Sequence, residues 1–128
     1  MNTHHTKEGR IILSQSAYTD IVLASAESFT GKLMFSTPGG NPVATGYMKW
    51  ISSDFMSAEY IEQLNMINLK IYVVMKFGIS LSDTLSEFSD CIRKNIKNIT
   101  GTEVGRIKFH VTGVKSKKLV HRNIEFIF

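Results

Sequence analysis

Apolar residues recur with two different periods along this chain, and the changes of period mark its elements. Between Asn68 and Phe77, Leu69, Ile71, Val73 and Met75 fall on one side of a strand, with Lys70, Tyr72, Val74 and Lys76 on the other. Both sides are apolar in the middle, which predicts a strand central in its sheet and partly covered on both faces, closed by Gly78. From Leu81 to Ile99 the period becomes helical. Leu81, Leu85, Phe88, Ile92, Ile96 and Ile99 recur at steps of three and four and predict one buried stripe. Ser80 or Ser82 can cap the start of this helix, and Gly101 is the expected stop. Asp83, Glu87 and Asp90 precede Arg93, Lys94 and Lys97, an order that complements the helix dipole. Val104–Thr112 then returns to period two, with Ile107, Phe109 and Val111 inward and Arg106, Lys108, His110 and Thr112 outward. If the two strands share a sheet, a right-handed crossover makes them parallel.

The rest of the chain is less regular. Residues 1–8 are polar and read as a flexible tail. Gly9–Ser14 reads as a short strand, and Ser14 or Ser16 as a helix N-cap. The spacing of Ala17, Ile21, Ala24 and Phe29, with Tyr18, Val22 and Ser25 beside them, predicts an amphipathic helix over 17–28 that ends near Gly31. Its small residues Ala24, Ser25 and Ala26 suit a close approach to a sheet. Lys32–Ser36 reads as a strand, Thr37–Val43 as a turn rich in Pro and Gly, and Tyr47–Ile51 as a further strand. Ser52, Ser53 and Asp54 could cap a helix from Phe55 to Leu64. The end of the chain, Lys115–Phe128, joins a basic cluster to alternating Ile124, Phe126 and Phe128. It reads either as an extra strand at a sheet edge or as a motif that docks on an anionic membrane or a partner.

Composition narrows the class. A chain of 128 residues with 43% hydrophobic and 20% charged residues is the size and mixture of one folded domain. The single cysteine, Cys91, excludes an internal disulfide. The longest apolar run, Ile71–Met75, falls far short of the roughly 18 residues that span a bilayer, and the N-terminus has no apolar signal core. A cytoplasmic protein is expected, with peripheral contact at the inner face of the cell membrane a further option. The net charge of +4 is unevenly placed: residues 1–64 hold four Lys/Arg against six Asp/Glu, net −2, and residues 65–128 hold eleven against five, net +6. A basic half suits an acidic protein, anionic lipid or nucleic acid, and equally a solvated face.

No residue constellation carries a reaction. Adjacent His4 and His5, without a fixed third ligand, make a weak metal site. The Gly39-Gly40 pair lacks the spacing and the following helix of a phosphate loop. Trp50, near several Met and aromatic residues, suits core packing better than a ligand pocket. Cys91 has no Cys-His motif around it, and His110 alternates onto a polar strand face with no nucleophile in view. An enzyme built on Cys91 or His110 is therefore a weak rival. A small basic nucleic-acid-binding module is a second alternative, although neither a Gly-x-x-Gly loop between helices nor an aromatic RNA-binding strand is present.

Four segments taken in order do resemble a family. Tyr72-Val-Val-Met-Lys-Phe-Gly78, the amphipathic helix, Thr100-Gly-Thr-Glu-Val104 and Ile107-Lys-Phe-His-Val-Thr-Gly-Val114 are similar to the alkaline shock protein family of bacterial envelope stress-response proteins. Gly9-Arg-Ile-Ile-Leu-Ser14 is similar to that family's opening, and together the similar parts span about half of the chain. The departures are Phe29-Thr-Gly31, where the family has Gly-Val, and the divergent middle, 36–65. The resemblance implies a domain over 9–114, followed by a basic-apolar extension at 115–128. It implies no catalytic residue and no cofactor, and a role in envelope homeostasis and stress through a protein partner, one that can be membrane-anchored, or through self-association. The expected fold is a single two-layer α+β domain, a mixed or mostly antiparallel sheet with two or three helices on one face. The candidate partner- or membrane-contacting residues are Arg106, Lys108, His110, Lys115, Lys117, Lys118 and Arg122.

Overall fold

The computed structural model describes residues 3–5, 11–13, 15–43 and 54–128, with side chains described for 15–43 and 54–128. The elements in order are β1 (Thr3–His5), β2 (Ile11–Leu13), α1 (Gln15–Ser25), a 3-10 turn (Ala26–Phe29), β3 (Leu33–Phe35), β4 (Met56–Ile61), β5 (Met66–Lys76), α2 (Leu81–Thr100), β6 (Glu103–Lys115) and β7 (Leu119–Ile127). Strands β3 to β7 form one five-stranded mixed sheet, with the helices on one face of it. This is the α+β architecture that the pattern predicts. β1 and β2 pair antiparallel as a separate ribbon, so the segment read as a tail contains one short strand.

The strand–helix–strand unit organises everything else. β5 and β6 are parallel, as a crossover through α2 requires, and β5 is the central strand. Its Leu69, Ile71, Val73 and Met75 are buried against the helices. Ser80 caps α2 by accepting from the Asp83 N–H at 3.3 Å. Gly101, at φ +75°, ends the helix in the left-handed conformation that favours glycine, and its N–H donates to the Lys97 carbonyl at 2.9 Å. Leu85, Phe88, Ile92 and Ile96 are fully buried, whereas Ile99, the last member of the predicted stripe, lies 58% exposed in the last turn of the helix.

The other edge of β5 is shared by two strands in tandem. β4 pairs with Met66–Ile71 and β3 with Val73–Met75, both antiparallel. The exchange falls at Tyr72. Its N–H donates to the Phe55 carbonyl at 2.8 Å, while its carbonyl accepts from the Ser36 N–H at 3.0 Å. The helix expected over Phe55–Leu64 is thus corrected: Met56–Ile61 is strand, and only Glu62–Leu64 forms a 3-10 turn. The unpaired N–H and C=O groups of β5 recruit the segment, and Met56, Ala58 and Tyr60 alternate inward once it is extended. Asn65, at φ +48°, closes the hairpin, and its side-chain oxygen accepts from the Tyr60 hydroxyl at 2.8 Å.

Three corrections concern α1. The regular helix stops at Ser25, and Ala26–Phe29 tightens into the 3-10 turn. Ala24 is exposed, and Ser25 meets α2 rather than the sheet, accepting from Asn95 Nδ2 at 2.8 Å. Ser16 lies inside the helix, so it is not the cap. Ser14, the strand expected at Tyr47–Ile51, Trp50 and the cap at Ser52/Ser53 lie outside the described residues. A chain of aromatic contacts forms the core: Phe29 to Phe88 (5.0 Å between centroids), Phe88 to Phe109 (5.6 Å) and Phe35 to Phe55 (4.5 Å).

The segment Leu119–Ile127 is strand β7, antiparallel to β6 and last in the sheet. Phe128 continues the ladder: its N–H and carbonyl both exchange hydrogen bonds with Ile107 at 3.0 Å. The extra-strand reading of the tail is the one the fold adopts.

Candidate functional site

Among the described residues no helix covers the second face of the sheet, and the alternation of β5 and β6 dictates what stands on it. Lys70 and Tyr72 of β5 lie beside Lys108 and His110 of β6, their register partners. His110 in turn pairs with Glu125 of β7. The Tyr72 and His110 rings lie 5.5 Å apart between centroids, and Lys70 Nζ sits 5.3 Å from the Tyr72 centroid. Glu125 Oε1 is 3.5 Å from Lys108 Nζ and 3.7 Å from His110 Nδ1. The Tyr72 phenol, with Glu125 beyond it, holds the Lys70 ammonium pKa above its ordinary value.

This row is polar and self-satisfied rather than uniformly basic. Glu125 offsets Lys108 and His110 where a nucleic-acid surface would leave them free for phosphates.

Next to the row the Pro-Gly loop folds back over the sheet. The Thr37 N–H donates to the Asn41 carbonyl (2.8 Å), the Gly40 N–H to the Thr37 carbonyl (2.9 Å) and the Asn41 N–H to Thr37 Oγ1 (3.2 Å). These donors are taken up inside the loop, which argues against a phosphate cradle. Gly40 is favoured there by conformation, and a side chain would also displace the exposed His121 imidazole. Its φ is +92°, and a Cβ would stand 2.7 Å from His121 Nδ1. Ser36 and Thr112, both buried, join the loop to β6: Ser36 Oγ lies 2.6 Å from Thr112 Oγ1, which donates to the Val73 carbonyl at 3.2 Å.

The seven residues singled out in the sequence do not form one site. Arg106 and Lys108 line a shallow groove with Glu59, Asn68 and Lys70. His110 and Arg122 border the Pro-Gly loop. Lys115 and Lys117 belong to a third groove at the end of the sheet, and Lys118 completes the exposed turn beside it. Sequence reading missed the partners of that last group, Lys32, Lys76 and Phe77, because the fold alone brings them to Lys115. The one local signal was Lys76-Phe77-Gly78, an aromatic residue at a turn where the apolar strand has already ended. Cys91 is half-buried between the helices, its Sγ 3.9 Å from the Ser25 carbonyl and 3.7 Å from Asn95 Nδ2. That setting is structural. The side chains of His4 and His5 lie outside those described, and no metal-holding group of His, Cys, Asp and Glu occurs among the described residues.

Fold and surface together define a small α+β protein whose mixed sheet, among the described residues, carries its helices on one face and ends in the edge strand β7. Its family follows from comparison. Residues 3–116 match the model of the alkaline shock protein family, described as having a cell envelope-related function, and the chain belongs to that family. The match takes in β1 to β6 and the divergent middle. No curated protein and no solved structure matches the chain. No helix among the described residues is long and apolar enough to cross a membrane.

Proposed function

We propose that this envelope-related protein is a non-enzymatic interaction module of the envelope stress response, working on the cytoplasmic side through protein–protein contacts. The observation that carries this reading is β7. It is nine residues long, ends the sheet, and keeps Val120, Ile124 and Ile127 exposed along an edge with no neighbouring strand among the described residues. Such an edge offers unpaired N–H and C=O groups to an extended segment of a partner, with alternate side chains supplying specificity. Natural proteins usually blunt long edges with charge or proline. β7 holds only His121, Arg122 and Glu125 against that use, and Glu125 is already engaged by Lys108 and His110.

Affinity capture from an envelope extract tests it, with the native chain compared with Val120→Lys/Ile124→Lys/Ile127→Lys. A protein held by the native chain, lost with the variant, and bound again when purified supports the reading. Identical sets held by both baits refute it.

A further inference from the structure

Four lysines from separate parts of the chain meet where β5 and β6 end. The backbone sets this. The Lys76 N–H donates to the Lys32 carbonyl and the Phe77 N–H to the Lys115 carbonyl, each at 2.9 Å. Lys76 and Lys115 are also register partners, and Lys117 follows in the turn before β7. Lys32, Lys76, Lys115 and Lys117 border one groove that also holds Met34, Val74 and Phe77. All four lysines are exposed, Phe77 is 69% exposed and Met34 37%. Among the described residues no carboxylate lines the groove and none of the four lysines takes part in an ion pair, although Lys32 Nζ lies 6.0 Å from the Phe29 ring centroid.

Unpaired lysines around exposed apolar side chains are complementary to one kind of surface. An anionic bilayer places phosphates in the plane of the ammonium groups, and below them an apolar boundary that accepts an aromatic ring and a thioether. We propose that this end of the sheet docks directly on the surface of an anionic phospholipid bilayer. The four lysines lie on lipid phosphates, and Phe77 and Met34 enter the headgroup layer. The contact uses none of the β7 side chains assigned to the protein partner, so the two readings stand or fall separately. A nucleic-acid duplex would meet the same lysines but, with its bases stacked inside, would leave Met34 and Phe77 without an apolar partner.

The test is co-sedimentation of the purified full chain with phosphatidylglycerol–phosphatidylcholine vesicles and with pure phosphatidylcholine vesicles, with duplex DNA mobility measured in parallel. Binding to the anionic vesicles alone, weakening with salt, is expected. Each Lys→Gln change in the groove lowers the partition coefficient by about fivefold. Phe77→Ser weakens binding while leaving its salt dependence in place, and Lys94→Gln, outside the groove, leaves binding unchanged. Circular dichroism checks that each variant folds. Equal binding to both vesicle types, no loss in K32Q/K76Q/K115Q/K117Q, or retention of DNA without vesicle binding would overturn the proposal.

Discussion

Arg93 of α2 donates to the Phe128 main-chain oxygen at 2.7 Å, and also to the Val104 carbonyl at 2.6 Å and the Gly105 carbonyl at 3.2 Å. One planar guanidinium thus holds the start of β6 and the residue that follows β7 against the crossover helix. Arg93→Ala leaves these acceptors without their charged donor and is expected to cost about 2 kcal/mol, discounted for partial exposure. Arg93→Lys recovers little, because an ammonium cannot reproduce the planar fork of donors. Urea unfolding gives the magnitude. Faster amide exchange in β7 than in β5 of the variant shows that the loss is local.

The pair Ser36 and Thr112 ties the Pro-Gly loop to β6. Thr112→Val removes this hydrogen bond and the donation to the Val73 carbonyl, while Ser36 Oγ keeps the Thr37 carbonyl as acceptor at 3.1 Å, so the expected cost is about 0.5–1.5 kcal/mol. Because each residue satisfies the other, Ser36→Ala with Thr112→Val costs less than the sum of the single changes. A double-mutant cycle in urea measures the coupling, and strict additivity would show that the two hydroxyls act independently.

The helical stripe has an end, and stability marks it. Ile92 is fully buried, so Ile92→Ala is expected to cost about 2–5 kcal/mol. Ile99 belongs to the same sequence pattern but stands in solvent, so Ile99→Ala should change stability by less than about 0.5 kcal/mol. Thermal denaturation of both variants checks the contrast.

These residues also show what the sequence makes legible. The Leu81–Ile96 stripe and the alternation of β5 and β6 are unambiguous because the apolar face of the helix and the inward side of both strands bury against the same core. Ile99 cannot be told apart from them, since periodicity does not say where along a helix burial ends. Met56–Ile61 is misread for a related reason. Phe55, Met56, Tyr60, Ile61 and Leu64 fit a helical stripe, and the deciding factor is the unpaired edge of β5, supplied from a distance along the chain. The outward Lys108 and His110 were visible from period two alone. That Glu125 would offset them, and that Lys32 and Lys76 would join Lys115, depends on register and is invisible before the fold.

Lys70 gives a pH prediction of definite sign. Tyr72, and more weakly Glu125, raise its pKa above the ordinary 10.5 in the folded chain. The associated stabilisation is complete below the unfolded value and is lost as pH rises through the folded one, so the window lies above about 10.5. Titration of the Lys70 side chain by NMR should show the raised value in the native protein and its return toward the ordinary one in Tyr72→Phe. An unchanged midpoint in that variant would remove Tyr72 as the cause.

We propose β7 as the face through which this protein meets its partner. Photo-crosslinking in living cells addresses it most directly, with a benzophenone amino acid placed in turn at Val120, Ile124 and Ile127 of β7 and at Glu87 and Lys94 on the exposed side of α2. A discrete protein adduct is expected from the β7 positions and none from α2. Adducts from α2 alone, or equal adducts from both, would contradict it.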